Sequence, residues 1–188
     1  MGTGFYNANS KITVRLLSTN ANDTFDVDFF KRRIKYALEY RQKVMPNDLA
    51  SFRLIFGEAD GFPGLTVDLF NDILVCQILS LGIEIRKDLI LPSLYEILKD
   101  NNINIRGIYE RNDVPIRKLE GLEESKGWYD FGLPIPDSKA TEIIENDIKY
   151  HVDFIDGQKT GYFLDQKYNR LAVKNISKDK IVLDCCTH

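Results

Sequence analysis

Hydrophobic positions along the chain follow two periods, which predict both strands and helices. Strands are predicted where apolar residues alternate or form short runs, at residues 11–17, 52–56, 65–70, 73–79, 105–109 and 181–183. Helical spacing predicts a helix over 26–44, with Asp26 as its N-cap and an apolar stripe at Phe30, Ile34, Ala37 and Leu38. A second helix is predicted over 84–99. Together these elements predict an α+β fold with a small mixed or antiparallel sheet.

Turn residues divide the remaining chain. Asn71 and Asp72 between two apolar runs predict a two-residue hairpin turn, and a second hairpin is predicted over 141–154. Residues 113–137 are rich in Gly and Pro and are interpreted as a linker or an exposed loop. A loop and helix over 158–177 then lead into the last predicted strand. We therefore place a boundary near residue 138.

Composition narrows the class of protein. The 188 residues are 44% hydrophobic and 28% charged, with a net charge of −3, which suits one soluble domain or two small ones. A strongly basic nucleic-acid-binding protein is excluded, so any RNA contact must come from a local patch. No apolar stretch approaches the roughly 18 residues of a membrane span, and no signal peptide is evident. We expect a cytoplasmic protein without membrane contact.

The segment 156–170 carries the densest mixture of polar and apolar residues. Gly157 and Gly161 bracket Gln-Lys-Thr and predict a tight loop. If the following residues are helical, Asp165 and Gln166 share a polar sector with the residues four positions later. That sector is equally what the solvated face of an amphipathic helix shows, so spacing alone assigns it no chemistry.

Four motifs occur in order along the chain: Phe-Gly-Glu-Ala-Asp-Gly-Phe-Pro-Gly-Leu-Thr-Val-Asp at 56–68, Gly-Ile-Tyr-Glu-Arg-Asn-Asp at 107–113, Gly-Gln-Lys-Thr-Gly-Tyr-Phe-Leu-Asp-Gln at 157–166 and Val-Leu-Asp-Cys at 182–185. Together they resemble the class I S-adenosylmethionine-dependent methyltransferases that act on cytosine C5 of large-subunit ribosomal RNA. That family has an N-terminal PUA domain, a central α+β domain and a Rossmann-like catalytic domain. The resemblance implies the end of a PUA-like region at 1–24, the central domain with its linker at 25–137, and the truncated start of the methyltransferase domain at 138–188.

The resemblance also implies a cofactor and the residues that contact it. S-adenosylmethionine is the expected cofactor, and Asp184 ends the predicted strand that carries the family's first cofactor motif. The cofactor-binding candidates are Lys159, Phe163, Asp165, Gln166, Asp184 and Cys185. No catalytic residue is predicted, because the family's thiolate nucleophile would lie beyond His188 and Cys185 and Cys186 stand at the cofactor loop instead. We expect a piece of a longer enzyme that is inactive by itself.

Ribosomal RNA is the partner that the resemblance implies. The RNA-binding candidates are Lys11, Arg15, Arg32, Arg33 and Arg111. Each of these charges also fits a purely solvated surface. Glu58, Asp60 and Asp68 lie near two glycines but lack the spacing of a Ca²⁺ loop, so we expect turn formation and no metal.

Two other classes of function stay open. One is a methyltransferase that acts on a different RNA or on a small molecule. The other is a non-catalytic module for RNA binding or for dimerisation, and a homodimer is compatible with either class. The sequence does not decide between these classes.

Overall fold

The computed structural model describes residues 2–185, which contain a central five-stranded sheet with a layer on each face and two separate two-stranded sheets. The strands are β1 (Thr3–Tyr6), β2 (Val14–Ser18), β3 (Ser51–Phe56), β4 (Leu65–Phe70), β5 (Ile73–Ile78), β6 (Gly107–Asn112), β7 (Ser125–Trp128), β8 (Ala140–Glu145) and β9 (Ile148–Asp153). The helices are α1 (Val27–Val44), α2 (Leu81–Glu84), α3 (Lys87–Asp100) and α4 (Lys167–Ile176), with 3₁₀ turns at Gly57–Asp60, Pro115–Glu120 and Leu164–Gln166.

The central sheet is mixed. Its order is β3-β4-β5-β6-β7, and only the β5–β6 pair is parallel. β4 and β5 form a hairpin across Asn71, whose φ of 54° is the left-handed conformation that such turns require. The predicted α+β class with a small mixed sheet is confirmed.

One face of the sheet packs against α1 and α3. The predicted stripe of α1 is buried, including Phe30, Ile34 and Leu38. The helix begins where predicted, because Asp26 accepts a hydrogen bond from the Phe29 backbone N–H at 2.9 Å. Burial of each large side chain of this kind stabilises the fold by about 1.5–3 kcal/mol.

The hairpin β8–β9 covers the opposite face. Its side chains Ile143, Val152 and Phe154 pack against Val75 and Tyr109 of the sheet. The turn residues 146 and 147 both have positive φ, at 52° and 66°, which confirms the predicted hairpin. The hairpin that follows position 138 is therefore packed directly onto the sheet that precedes it.

Two predicted elements differ from the structure near their starts. The strand predicted over 11–17 begins only at Val14, and its partner is β1, which lacks a sequence pattern strong enough to predict it. The helix predicted over 84–99 is α3, which begins three residues later, at Lys87, because Ile85 and Arg86 separate it from the short helix α2 that ends at Glu84.

Two further predictions are wrong. Residues 113–137 are not simply a linker, since they contain a 3₁₀ turn and β7, which pairs with β6 at the sheet edge. The sequence of β7, Ser-Lys-Gly-Trp, has too few apolar residues to show a period. Residues 181–183 form no strand and are largely exposed, because no strand of the described residues lies beside them to pair with. Within residues 2–185, no helix is both long and apolar enough to cross a membrane.

Candidate functional site

The predicted tight loop is confirmed at the end of β9. The Gly157 N–H donates to the Asp153 carbonyl oxygen at 3.1 Å, and the Gly161 N–H donates to that of Gln158 at 2.8 Å. Gly161 has a φ of 125°, and a Cβ atom there would lie 2.8 Å from the Asp153 carbonyl oxygen. Only glycine therefore fits this close approach of the loop to the strand.

A buried carboxylate anchors the loop to the sheet. Asp68 of β4 is fully buried and accepts a hydrogen bond from the Thr160 hydroxyl at 2.6 Å. Arg53 of β3 donates to the two oxygens of the same carboxylate at 2.8 and 2.9 Å. The hydrogen bond to Asp68 raises the pKa of Arg53, whose guanidinium is charged at ordinary pH as in any arginine. Two motifs of the sequence, 56–68 and 157–166, thus meet through one side chain.

The other two carboxylates of the acidic group bind different arginines. Glu58 pairs with Arg15 at 3.4 Å, and Asp60 accepts two hydrogen bonds from Arg41 at 2.5 and 2.7 Å. In the part of the chain that the structure describes, no group of three or more His, Cys, Asp or Glu residues could hold a metal ion. These carboxylates act as separate tethers between elements.

The six cofactor-binding candidates lie in three parts of the structure: the tight loop with Phe163 after it, the 3₁₀ turn before α4, and the stretch that follows α4. The Lys159 ammonium lies 4.4 Å from the centre of the Phe163 ring, and Gln166 donates to Asp165 at 3.2 Å. Lys159 itself has a φ of 54°, so the loop backbone is held in a left-handed turn. Asp184 and Cys185 follow α4 in an exposed stretch without regular structure. Cys186 lies outside the described residues.

The helix that carries the predicted polar sector begins later than expected. Asp165 and Gln166 form a 3₁₀ turn before α4, so they do not share a helical face with Asn169 and Arg170 as predicted. Arg170 instead donates to Glu145 of β8 at 2.6 and 2.9 Å. This ion pair fixes α4 against the hairpin.

A second contact fixes the start of α4 on the loop after α1. Asp48 binds the Lys167 ammonium and accepts a hydrogen bond from the Tyr168 hydroxyl at 2.6 Å. Burial acts to raise the pKa of Asp48, but the two hydrogen bonds outweigh it and leave this pKa lowered. Asp165, Lys167 and Tyr168 line a cavity of about 380 Å³ between α4 and α1.

The described residues do not by themselves fit a complete cofactor pocket. Of the six candidates, Asp165 lines the 380 Å³ cavity and the other five do not. The parallel strand that would bring Asp184 to the edge of a sheet is not formed. The loop offers one wall, with Phe163 as a ring able to stack, and no step of methyl transfer follows from this arrangement.

The five RNA-binding candidates have very different surroundings. Lys11 is exposed, whereas Arg15 is bound to Glu120 at 2.9 Å and is largely buried. Arg111 is 8% exposed and donates to the carbonyl oxygens of Phe154 and Gly157, both at 3.0 Å. Its guanidinium thus holds the loop in place.

Arg32 and Arg33 line a groove of about 780 Å³ between α1 and the 3₁₀ turn Gly57–Asp60. The groove also exposes Tyr36, Tyr40 and Phe56, none of which is among the residues predicted to bind RNA. A signal for two of them was present, since positions 32, 36 and 40 are spaced four residues apart and share one helical face. We call this the α1 groove.

Individual proteins match this chain along its whole length, although no protein-family model does. The chain is 40% identical to ribosomal RNA large subunit methyltransferase I of Aeromonas salmonicida, and 41% identical to the protein of that name from Pseudoalteromonas translucida. Each alignment covers 100% of this chain and 46% of the relative. The chain therefore spans about half the length of the curated relatives it matches.

Solved structures share the fold. A candidate SAM-dependent methyltransferase from Streptococcus mutans matches with a TM-score of 0.73 at 24% identity, covering 94% of this chain and 43% of that one. A candidate methyltransferase in complex with SAH matches with the same TM-score at 25% identity, covering 94% of this chain and 42% of that one. The whole chain is thus similar to a segment that makes up just under half the length of each ribosomal RNA large subunit methyltransferase I. It has the fold of the matching part of the two methyltransferase structures.

Proposed function

We propose that this chain is part of an S-adenosylmethionine-dependent methyltransferase that acts on large-subunit ribosomal RNA. The observation that carries the proposal is the 40% identity over the entire chain to a protein named for that activity. The SAH complex of a structural neighbour supports S-adenosylmethionine as the cofactor. Within this chain we propose that Lys159, Phe163, Asp165 and Gln166 form one wall of the cofactor site, and that Asp184 and Cys185 belong to the same site.

The finer part of the proposal is the target atom. We propose C5 of a cytosine, on the resemblance of the four motifs to the C5 methyltransferases. The C5 reaction needs a thiolate that adds to C6 of the base. Cys76 is unsuited to this role, since it is fully buried and burial raises the pKa of its thiol well above the usual range.

We also propose a cytoplasmic location, since ribosomal RNA is the proposed partner. Association of two copies stays a prediction, and sedimentation at several concentrations would test it.

The activity test uses a protein extended to the length of the relatives. It is incubated with S-adenosylmethionine and unmodified large-subunit rRNA, and the nucleosides are then separated by mass spectrometry. We expect 5-methylcytidine. A different methylated nucleoside would refute the C5 assignment but support RNA methylation, and no methylation of RNA would refute the proposed function.

The cofactor wall is tested by calorimetric titration of SAH. Phe163→Ala in the extended protein is expected to weaken SAH binding, because the ring no longer offers a stacking surface. His151→Ala is the matched control, since His151 is an exposed residue of β9. Equal affinity of the two variants would exclude Phe163 from the cofactor site.

A further inference from the structure

The α1 groove exposes three large aromatic side chains on one surface. Tyr36 and Tyr40 of α1 are 60% and 59% exposed, and Phe56 at the end of β3 is 56% exposed. Single exposed apolar residues are common on protein surfaces, but three rings around one groove are not. The groove volume of about 780 Å³ lies within the roughly 300–1,000 Å³ of ligand-binding pockets.

Arginines lie beside these rings. The Arg41 guanidinium is 5.3 Å from the centre of the Tyr40 ring, and that of Arg53 is 5.4 Å from the centre of the Phe56 ring. Rings combined with guanidinium groups form the surface on which unpaired bases stack, since every base has a π face and every linkage a negative phosphate.

The charges of the groove favour an anion. Arg41 is neutralised by Asp60, and Arg32 is paired with Asp23 at 3.4 Å. Arg33 differs, because its contacts are the Gly61 carbonyl oxygen at 3.2 Å and the face of the Phe29 ring at 4.5 Å. It forms no ion pair with any carboxylate of residues 2–185. Asp23 and Asp60 line the groove together with Arg32, Arg33 and Arg41, so its arginines exceed its carboxylates by one. The half-buried charge of Arg33 is the one left without a bonded carboxylate partner, and a phosphate group would supply that partner.

The groove is continuous with the cavity beside the candidate cofactor wall. Tyr40, Arg41 and Phe56 line both spaces, and Asp165 lines the second one. A strand of RNA lying in the α1 groove would therefore be directed toward the loop 156–166.

We propose that the α1 groove binds a single-stranded segment of RNA, with unpaired bases stacked on Tyr36, Tyr40 and Phe56 and a phosphate at Arg33. This inference rests on the proposed function only in taking RNA as the ligand. The groove holds nucleotides outside the site of chemistry and contributes affinity rather than reactivity.

The test measures fluorescence anisotropy of a labelled twelve-nucleotide single-stranded RNA with this chain. We expect Tyr36→Ala and Tyr40→Ala each to raise Kd about five-fold or more, which is the lower range of a lost base–aromatic stack. Tyr36→Phe and Tyr40→Phe keep the rings and should retain the affinity of the unchanged chain. Tyr6→Ala is the control, since Tyr6 is 72% exposed on β1 and does not line the groove.

The charge of Arg33 is tested through salt. Arg33→Gln should lower the slope of log Kd against log salt by about 0.7, the value for one phosphate contact to a single strand. Lys35→Gln is the matched control on the same helix, because Lys35 is exposed and does not line the groove. Equal slopes for the two variants would refute the proposed contact between Arg33 and a phosphate.

The outcomes separate this inference from the proposed function. If neither alanine variant changes RNA binding, the proposal that RNA binds in the α1 groove is refuted, and the proposed methyltransferase function is unaffected. Absence of RNA binding by the chain also refutes RNA binding in the α1 groove. Equally tight binding of double-stranded and single-stranded RNA refutes it as well. Groove-dependent RNA binding together with an extended protein that methylates no RNA would retain the groove and refute the proposed function.

Discussion

The buried carboxylate of Asp68 should be the most sensitive polar position in the described chain. Asp68→Asn keeps the shape of the side chain but removes its charge, and at least one of its three donors then faces an amide N–H₂ group. Those donors are Nε and Nη2 of Arg53 and the hydroxyl of Thr160, at 2.6–2.9 Å. Since the three bonds join β3, β4 and the loop 156–166, their loss should weaken both the sheet and the loop.

The magnitude follows from the burial of the partners. Breaking a fully buried ion pair costs about 3–5 kcal/mol. The side chain of Arg53 is 33% exposed, so water replaces part of what it loses. We therefore expect the free energy of unfolding to fall by about 2–4 kcal/mol, and the melting temperature to fall by roughly 5–15 °C for a chain of this size.

The assay is urea unfolding followed by circular dichroism. Asp72→Asn is the control, because Asp72 binds Arg106 in a pair whose arginine is 50% exposed, and such surface pairs contribute at most about 1 kcal/mol. Thr160→Val should be non-additive with Asp68→Asn, since both changes remove the same hydrogen bond. A loss for Asp68→Asn no greater than that for Asp72→Asn would refute the anchoring role of this carboxylate.

Three further predictions concern separate parts of the chain. The pKa of Glu120 is lowered from its usual value of 4.5, since hydrogen bonds outweigh the burial that acts to raise it. Its contribution to stability is therefore full above pH 4.5 and is lost as the pH falls. Acid unfolding of Glu120→Gln should show a weaker pH dependence than that of the unchanged chain, and an identical dependence would contradict this. Native alkylation at pH 8 should modify exposed Cys185 and spare buried Cys76, as peptide mass spectrometry can establish, whereas equal modification would contradict the packing. Gly161→Ala should destabilise the chain by more than about 1 kcal/mol in thermal unfolding, and by more than Gly132→Ala, which has a positive φ but open space around it.

The local elements follow from residues that act over short distances. Asp26 and the apolar stripe after it were enough to predict α1, and the two hairpins were predictable from the polar pairs at 71–72 and 146–147. The four motifs also carried the resemblance to RNA methyltransferases. For α1 and the two hairpins the signal depends on neighbours within a few positions, which is the range over which capping, turn geometry and helical spacing operate.

Pairing between distant segments was decided by the tertiary structure. The apolar run 181–183 has the composition of a buried strand, yet strand formation needs a neighbour to accept its backbone hydrogen bonds, and none of the described strands lies there. β7 shows the reverse case, because a sequence with little strand character is ordered by its pairing with β6.

The candidate site depends on the same long-range choices. Asp68 and Thr160 belong to two of the four motifs, and Arg53 lies just before the first one. The sequence could not show that Asp68 and Thr160, 92 positions apart along the chain, share a hydrogen bond. It also could not show which arginines bind a carboxylate directly, as Arg41 binds Asp60, and which, like Arg33, bind a backbone carbonyl oxygen instead. Sequence periodicity reports which face of an element is apolar, whereas the partner of each charged side chain is set by how the elements pack.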